Sequence, residues 1–399
     1  MALYEIAPPR VGAPLPRPVD LACFALICLH VTWLVTGYVS GSWIIGPDGN
    51  GIPADFVNVW AAGKLVLEHN PAAAYDWATH KDVEAAALGY RFVGYFGWHY
   101  PPPALAVAAL LSLMPYAVSY LVWVFATFPL YLVAIRAIVG ERVGYVLAAA
   151  FPAILCNFAV GQNGFLSAAL LGGALVTLIE KPLIAGLFFG ILTYKPHLGF
   201  LIPVALLAGG HWRTIGAATA VAVAMALASW VAYGTPTWLA FIDNIGHTSD
   251  AFLSAGQAKF EKLQTVFGLV RTLGLGEPAA WATQGVVTLM AALGVAALWR
   301  SRATFEIKAA GLGAAALLAT PYLYTYDLVV LAVPAAYLFR MGRATGFRPY
   351  ELSGMGVACL LILSFPFVEA PVGLAAILIV LALVIRRALP HARPAPATA

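Results

Sequence analysis

Apolar runs of membrane-crossing length recur from Leu21 almost to the end of the chain, and nothing else in the sequence restricts its fold so strongly. A helix needs about 20 mostly apolar residues to cross the hydrocarbon core of a bilayer. The balance of residue types agrees: 62% are hydrophobic and only 10% charged, whereas a soluble domain carries roughly 25% charged residues. A soluble chain this apolar would lack the polar surface to cover itself. The predicted fold is therefore all-α, a polytopic transmembrane helical bundle.

By length and patterning, spans are predicted near 20–39, 102–115, 117–138, 143–159, 163–179, 182–195, 197–209, 213–234, 280–299, 304–321, 327–340, 352–367 and 371–386. Several are shorter than a full crossing, so broken or re-entrant helices are expected among about 11–13 spans. The run Leu21 to Val39 has no small-residue cleavage site after it and is read as a retained first helix. One membrane domain is expected over 1–389, with the Pro- and Ala-rich 390–399 as a disordered tail.

Lys/Arg bias in short loops sets orientation. Arg300 and Arg302, Arg340, Arg343 and Arg348, and Arg386, Arg387 and Arg393 mark one side, which Arg10 and Arg17 join. These basic clusters read as topology signals, not as a nucleic-acid surface. The long segments 40–101 and 235–279 then face outward, and 40–101 is rich in acids (Asp48, Asp55, Glu68, Asp76, Asp82, Glu84). Arg136 and Arg142 conflict with this assignment if every span crosses fully. In 40–101, Phe56, Trp60, Gly63 and Leu67 predict an amphipathic interfacial helix with Asp55 at its N-cap. A second polar helix is predicted near 79–90, then an aromatic stretch ending in the prolines 101–103. Helical patches around Trp238, Phe241 and Ile242 are predicted in the second outer segment.

Ionisable groups near membrane depth are costly and tend to be functional. Asp55, Lys195, Asp327 and His99 all fall near the outer face in this topology. Gln162 and Asn163 lie between two spans, His197 follows Lys195, Tyr100 follows His99, and Tyr322, Tyr324 and Tyr326 precede Asp327. A carboxylate can take a proton from an attacking hydroxyl, and a cation can balance phosphate charge. Each residue also has a plainer reading: helix caps for Asp55 and Asp327, a snorkelling side chain for Lys195, a turn for Gln162 and Asn163, belt aromatics for His99 and the tyrosines. The tyrosines alternate, so at least one is expected to belong to the belt. The four cysteines read as small apolar residues in helices. No Asp-x-Asp pair or Cys/His cluster calls for a metal, and no cofactor is implied.

The order of Ala54-Asp55 to Lys64, Asn70 to Asp76, Tyr100 to Pro103, Gly161-Gln162-Asn163, Tyr194 to Gly199 and Thr320 to Asp327 resembles glycosyltransferase family 87. That resemblance, over roughly 20–340, implies a GT-C type fold with periplasmic juxtamembrane helices in a bacterial inner membrane. It implies a sugar donor linked to polyprenyl phosphate, mannose foremost, and an outer-face glycan or glycolipid acceptor. It implies Asp55 as catalytic base in a single inverting displacement, with Lys195 on the phosphate. Family members often carry His where this chain has Tyr322, Tyr324 and Tyr326. Two other classes compete, a secondary transporter and a non-catalytic envelope assembly protein. A transporter would favour internal repeats and midplane ionisable groups, and no repeat is visible in the sequence.

Overall fold

The computed structural model describes residues 15–257 and 259–389; the expected tail 390–399, Arg10 and Arg393 lie outside these. The described chain is helical throughout: α1 (Arg17–Val39), α2 (Phe56–Leu67), α3 (Trp77–Leu88), α4 (Ala104–Leu111), α5 (Tyr116–Val139), α6 (Val143–Ala149), α7 (Ala153–Val160), α8 (Gly164–Thr177), α9 (Pro182–Ile191), α10 (Ile202–Ala208), α11 (Trp212–Thr248), α12 (Val266–Thr272), α13 (Glu277–Arg300), α14 (Phe305–Leu318), α15 (Ala332–Thr345), α16 (Glu351–Ser364) and α17 (Val372–Ala388). It is a polytopic helical membrane protein. Among the described residues, the segments 17–39, 116–139, 212–254, 277–300 and 325–345 are each long and apolar enough to cross alone.

Several of the remaining predicted spans are present as shorter or broken pieces. The run 143–159 is two helices, α6 and α7, bent by 60° at Phe151-Pro152, where proline removes a backbone donor. The runs 182–195 and 197–209 become α9 and α10, separated by 3-10 turns around Lys195-Pro196. Helix α4 has eight residues, about 12 Å of helix, too short for a crossing. That removes the conflict over Arg136 and Arg142. Arg343 pairs with Glu141 at 3.0 Å, and Arg340 donates to the carbonyl of Ile138 at 3.1 Å. The α5–α6 turn thus lies at the same end of the bundle as the basic end of α15.

One hydrophobic cluster runs from Trp43 to Val384. After Glu306 and Lys308 in its first turn, helix α14 is apolar on all sides, and it is buried from Ile307 to Leu318, as a central helix must be. Helices α1 and α13 instead expose large apolar side chains such as Leu21, Phe24, Leu289 and Leu293, a surface suited to lipid.

The two outer segments differ in detail from the prediction. Helix α2 packs deeply against the rest of the protein: Val57, Asn58, Ala61, Ala62 and Leu65 are buried along with Phe56. Helix α3 buries His80 and Glu84 completely. Burial pushes Glu84 up to about 8 and His80 down to about 3, so both are neutral at pH 7 and cost less to bury. Helix α11 breaks at Gly234 (φ 76°), and its second half, carrying Trp238, Phe241 and Ile242, turns into the second outer segment.

Candidate active site

A cavity of about 670 Å³ opens where the outer segments meet the ends of the bundle helices. Its walls include Asp55, His99, Tyr100, Gln162, Lys195, His197, Tyr322, Tyr324 and Tyr326, with Asn163 and Asp327 bonded directly behind them. Residues spread over more than 270 positions of sequence therefore converge on one place.

Asp55 immediately precedes α2, but its backbone is already helical and its side chain caps nothing. Its Oδ2 instead accepts from Nε2 of Gln162 at 3.2 Å. Burial pushes the carboxyl up to about 6; the Gln162 bond and the charge of Lys262 pull the other way.

Gln162 and Asn163 stand in a tight turn. Gly161 takes φ 67°, which strains any residue with a Cβ. A Cβ at Gly164 would come within 2.4 Å of the Tyr326 carbonyl, so that glycine lets the turn press against the late polar segment. The turn carries Gln162 to the cavity wall and Asn163 directly behind it.

Lys195 does not snorkel. The proline after it favours extended backbone at Lys195, which ends α9 and directs the side chain inward, where it is 2% exposed. Its ammonium pairs with Asp327 and donates to Oδ1 of Asn163 at 2.7 Å, 5.0 Å above the Tyr326 ring. Asp327 also accepts from the backbone N–H of Tyr324 at 3.1 Å, capping the 3-10 turn Thr325–Leu331. It is both a cap and the counter-ion of Lys195.

These contacts form one continuous chain. Lys195 donates to Asn163, and Nδ2 of Asn163 donates to the Tyr100 hydroxyl at 2.7 Å. Tyr100 donates to Oε1 of Gln162 at 2.9 Å, and Gln162 donates to Asp55. Every donor points toward Asp55, an arrangement in which successive bonds polarise one another.

The expectation that one tyrosine belongs to the belt fails. Positions 320–324 are neither strand nor helix, so strict alternation does not apply, and all three rings line the cavity. Tyr322 meets Tyr324 edge-on at 5.1 Å, and Tyr324 stacks with Tyr326 at 6.0 Å. His99 and His197 both stand edge-on to Tyr322. His99 Nδ1 shares a hydrogen bond with Thr248 at 2.9 Å, and burial pushes the ring down to about 4, so at neutral pH it is no cation for a phosphate. Nε2 of His197 is buried without a hydrogen-bond partner among the described residues.

The sequence reading missed Lys262. It lines the cavity from a short turn in the second outer segment and is the largest cationic influence on Asp55. The cluster Lys259, Glu261 and Lys262, in an otherwise apolar stretch, was the available signal. Tyr95 and Asn244, also wall residues, had none. No group of His, Cys, Asp and Glu able to hold a metal occurs among the described residues.

Neither the curated proteins nor the solved structures contain a match to this chain. A family model does match: glycosyltransferase family 87 covers residues 98–321, which takes in His99, Tyr100, the 161–164 turn, Lys195 and Lys262. More than half of the sequence falls within that match, and the chain belongs to glycosyltransferase family 87.

Proposed function

We propose that the cavity transfers a hexose, mannose foremost, from a polyprenyl-phosphate carrier to a hydroxyl of a glycan or glycolipid by one inverting displacement. The carrying observation is that Asp55 is the only carboxylate on the cavity wall among the described residues, and that it lacks a bonded cation. A base with a pKa near the working pH is well matched to removing a proton in the transition state.

In this scheme Asp55 takes the proton of the acceptor hydroxyl as that oxygen bonds to the anomeric carbon. The bond from that carbon to the phosphate oxygen breaks on the opposite face, and the polyprenyl phosphate leaves with the electron pair. Phosphate needs no proton to depart, but it needs positive charge nearby. Lys262 and the remaining N–H of Lys195 supply it, with His197 Nε2 as a further contact. Gln162, Tyr100 and Asn163 act as positioning residues, since their polar atoms are used in holding Asp55 and Lys195 in register. The aromatic walls offer ring faces for a sugar. Outer helices set over a bundle fit the GT-C kind of enzyme, and the Lys/Arg bias favours a cavity on the periplasmic side of a bacterial inner membrane.

The test is release of labelled sugar from polyprenyl-phosphate-hexose by the purified protein, with inversion at the anomeric carbon read by NMR. Transfer from a nucleotide sugar instead, or retention of configuration, overturns the scheme.

A further inference from the structure

A second cavity, about 740 Å³ and almost wholly apolar, runs along α16 from Leu352 to Leu363, between α1, α15 and α16. Its placement follows from the helices themselves. Phe365, just past the end of α16, lines the first cavity, whereas Leu352, in the first turn of α16, lines the second. Helix α15 lines the groove from its first residue, Ala332, to Phe339. Helix α1 walls it with Pro16, Cys23 and Leu26, at the end remote from Asp55.

The rim of this groove is cationic. Arg17 sits between the wall residues Pro16 and Pro18. Glu351, next to Leu352, is held at 2.6 Å by Arg387. Arg348 donates to the Arg386 carbonyl, and Arg386 donates to the Pro349 carbonyl at 3.1 Å. Arg348, Arg386 and Arg387 thus gather around one carboxylate, Glu351, and Arg17 stands in sequence between two residues of the groove wall.

We propose that this groove holds the acyl chains of an anionic phospholipid from the leaflet opposite the active site, with the headgroup phosphate on Arg17, Arg348 and Arg386. Apolar walls and a basic rim match the two halves of such a lipid, and basic pockets between helices are suited to anionic headgroups. The lipid takes the place of packing that α1 lacks, since α1 buries only Cys23, His30 and Gly37 and its one polar tie across the bundle runs from His30 to the Ala149 carbonyl at 3.2 Å. This inference does not depend on the reading of the first cavity.

Native mass spectrometry of the full chain in mild detergent, titrated with phosphatidylglycerol or phosphatidylcholine, tests it. Gly356 lines the groove, and a Cβ there meets nothing within 4 Å, so Gly356→Leu directs a side chain into the space. One phosphatidylglycerol per chain is expected, bound at least about tenfold more tightly than phosphatidylcholine and weakened about tenfold by G356L. Arg348→Gln and Arg386→Gln are each expected to weaken it about fivefold. Equal binding of the two lipids, binding unchanged in G356L, displacement by polyprenyl phosphate, or a dimer that carries no lipid would overturn the proposal.

Discussion

Asp55 and Asp327 sit at the two ends of one hydrogen-bonded chain, and the protein treats them in opposite ways. Asp327 is 1% exposed, faces a lysine and caps a turn. Asp55 has a neutral amide and an open cavity. Removing one partner of a buried ion pair strands the other charge, whereas a buried carboxyl without a bonded cation is costly to keep ionised and is a candidate for chemistry. On the proposed mechanism, the contrast assigns Asp327 to holding the cluster and Asp55 to its chemistry.

The largest expected effect is on catalysis. Asp55→Asn should lower the transfer rate by roughly 10²–10⁴-fold, measured as sugar release. The same variant should melt no lower than the parent. Burial raises the Asp55 pKa above its unfolded value, so its contribution to stability is present at low pH and lost as pH rises through about 6. Above pH 6 the asparagine variant should therefore be the more stable one; a lower melting midpoint there would place Asp55 in the same class as Asp327.

Asp327→Ala should behave in the opposite sense, costing about 3–5 kcal/mol because it strands the buried Lys195 ammonium. The double variant Lys195→Met with Asp327→Leu should recover much of that melting loss without recovering transfer. Recovery of both would reduce the pair to a packing device.

Tyr100→Phe breaks the chain at its middle and leaves the Gln162 and Asn163 side chains each short of a partner. A loss of about 1–3 kcal/mol, divided between melting midpoint and rate, is expected. The pH profile of transfer should fall on the acid side with an apparent pKa of about 6, as Asp55 takes up its proton. A profile flat down to pH 4 would remove Asp55 as base. Smallest of all, Lys262→Gln should raise the donor KM severalfold with little change in kcat, and added salt should mimic it, because Lys262 is exposed.

Much of this was legible in the sequence, for physical reasons that differ by region. The helix boundaries at 116–139, 277–300 and 372–388 follow from apolar length, and the observed ends fall within a few residues of those predicted. The site residues were legible because charged and amide side chains are rare in so apolar a chain, so each one stands out. What the sequence concealed was pairing. Nothing local in Tyr-Lys-Pro-His says that Lys195 meets Asp327, since that contact is set by packing across 132 positions. The deep packing of α2 was hidden too, because small residues such as Ala61 and Ala62 do not reveal whether a helix or lipid lies against them. The tyrosines misled because alternation was assumed for a segment with no regular structure.

The convergence of distant segments also has a consequence for biosynthesis. The ribosome makes Asp55 among the first sixty residues, but Lys195, Lys262 and the 322–327 segment emerge much later. Until they do, the Asp55 carboxyl lacks the Gln162 bond and most of the cavity wall that surround it in the folded chain. On the proposed mechanism, a chain truncated before residue 320 lacks the Tyr322, Tyr324 and Tyr326 walls and the Asp327 partner of Lys195, and should be inert, however well it inserts.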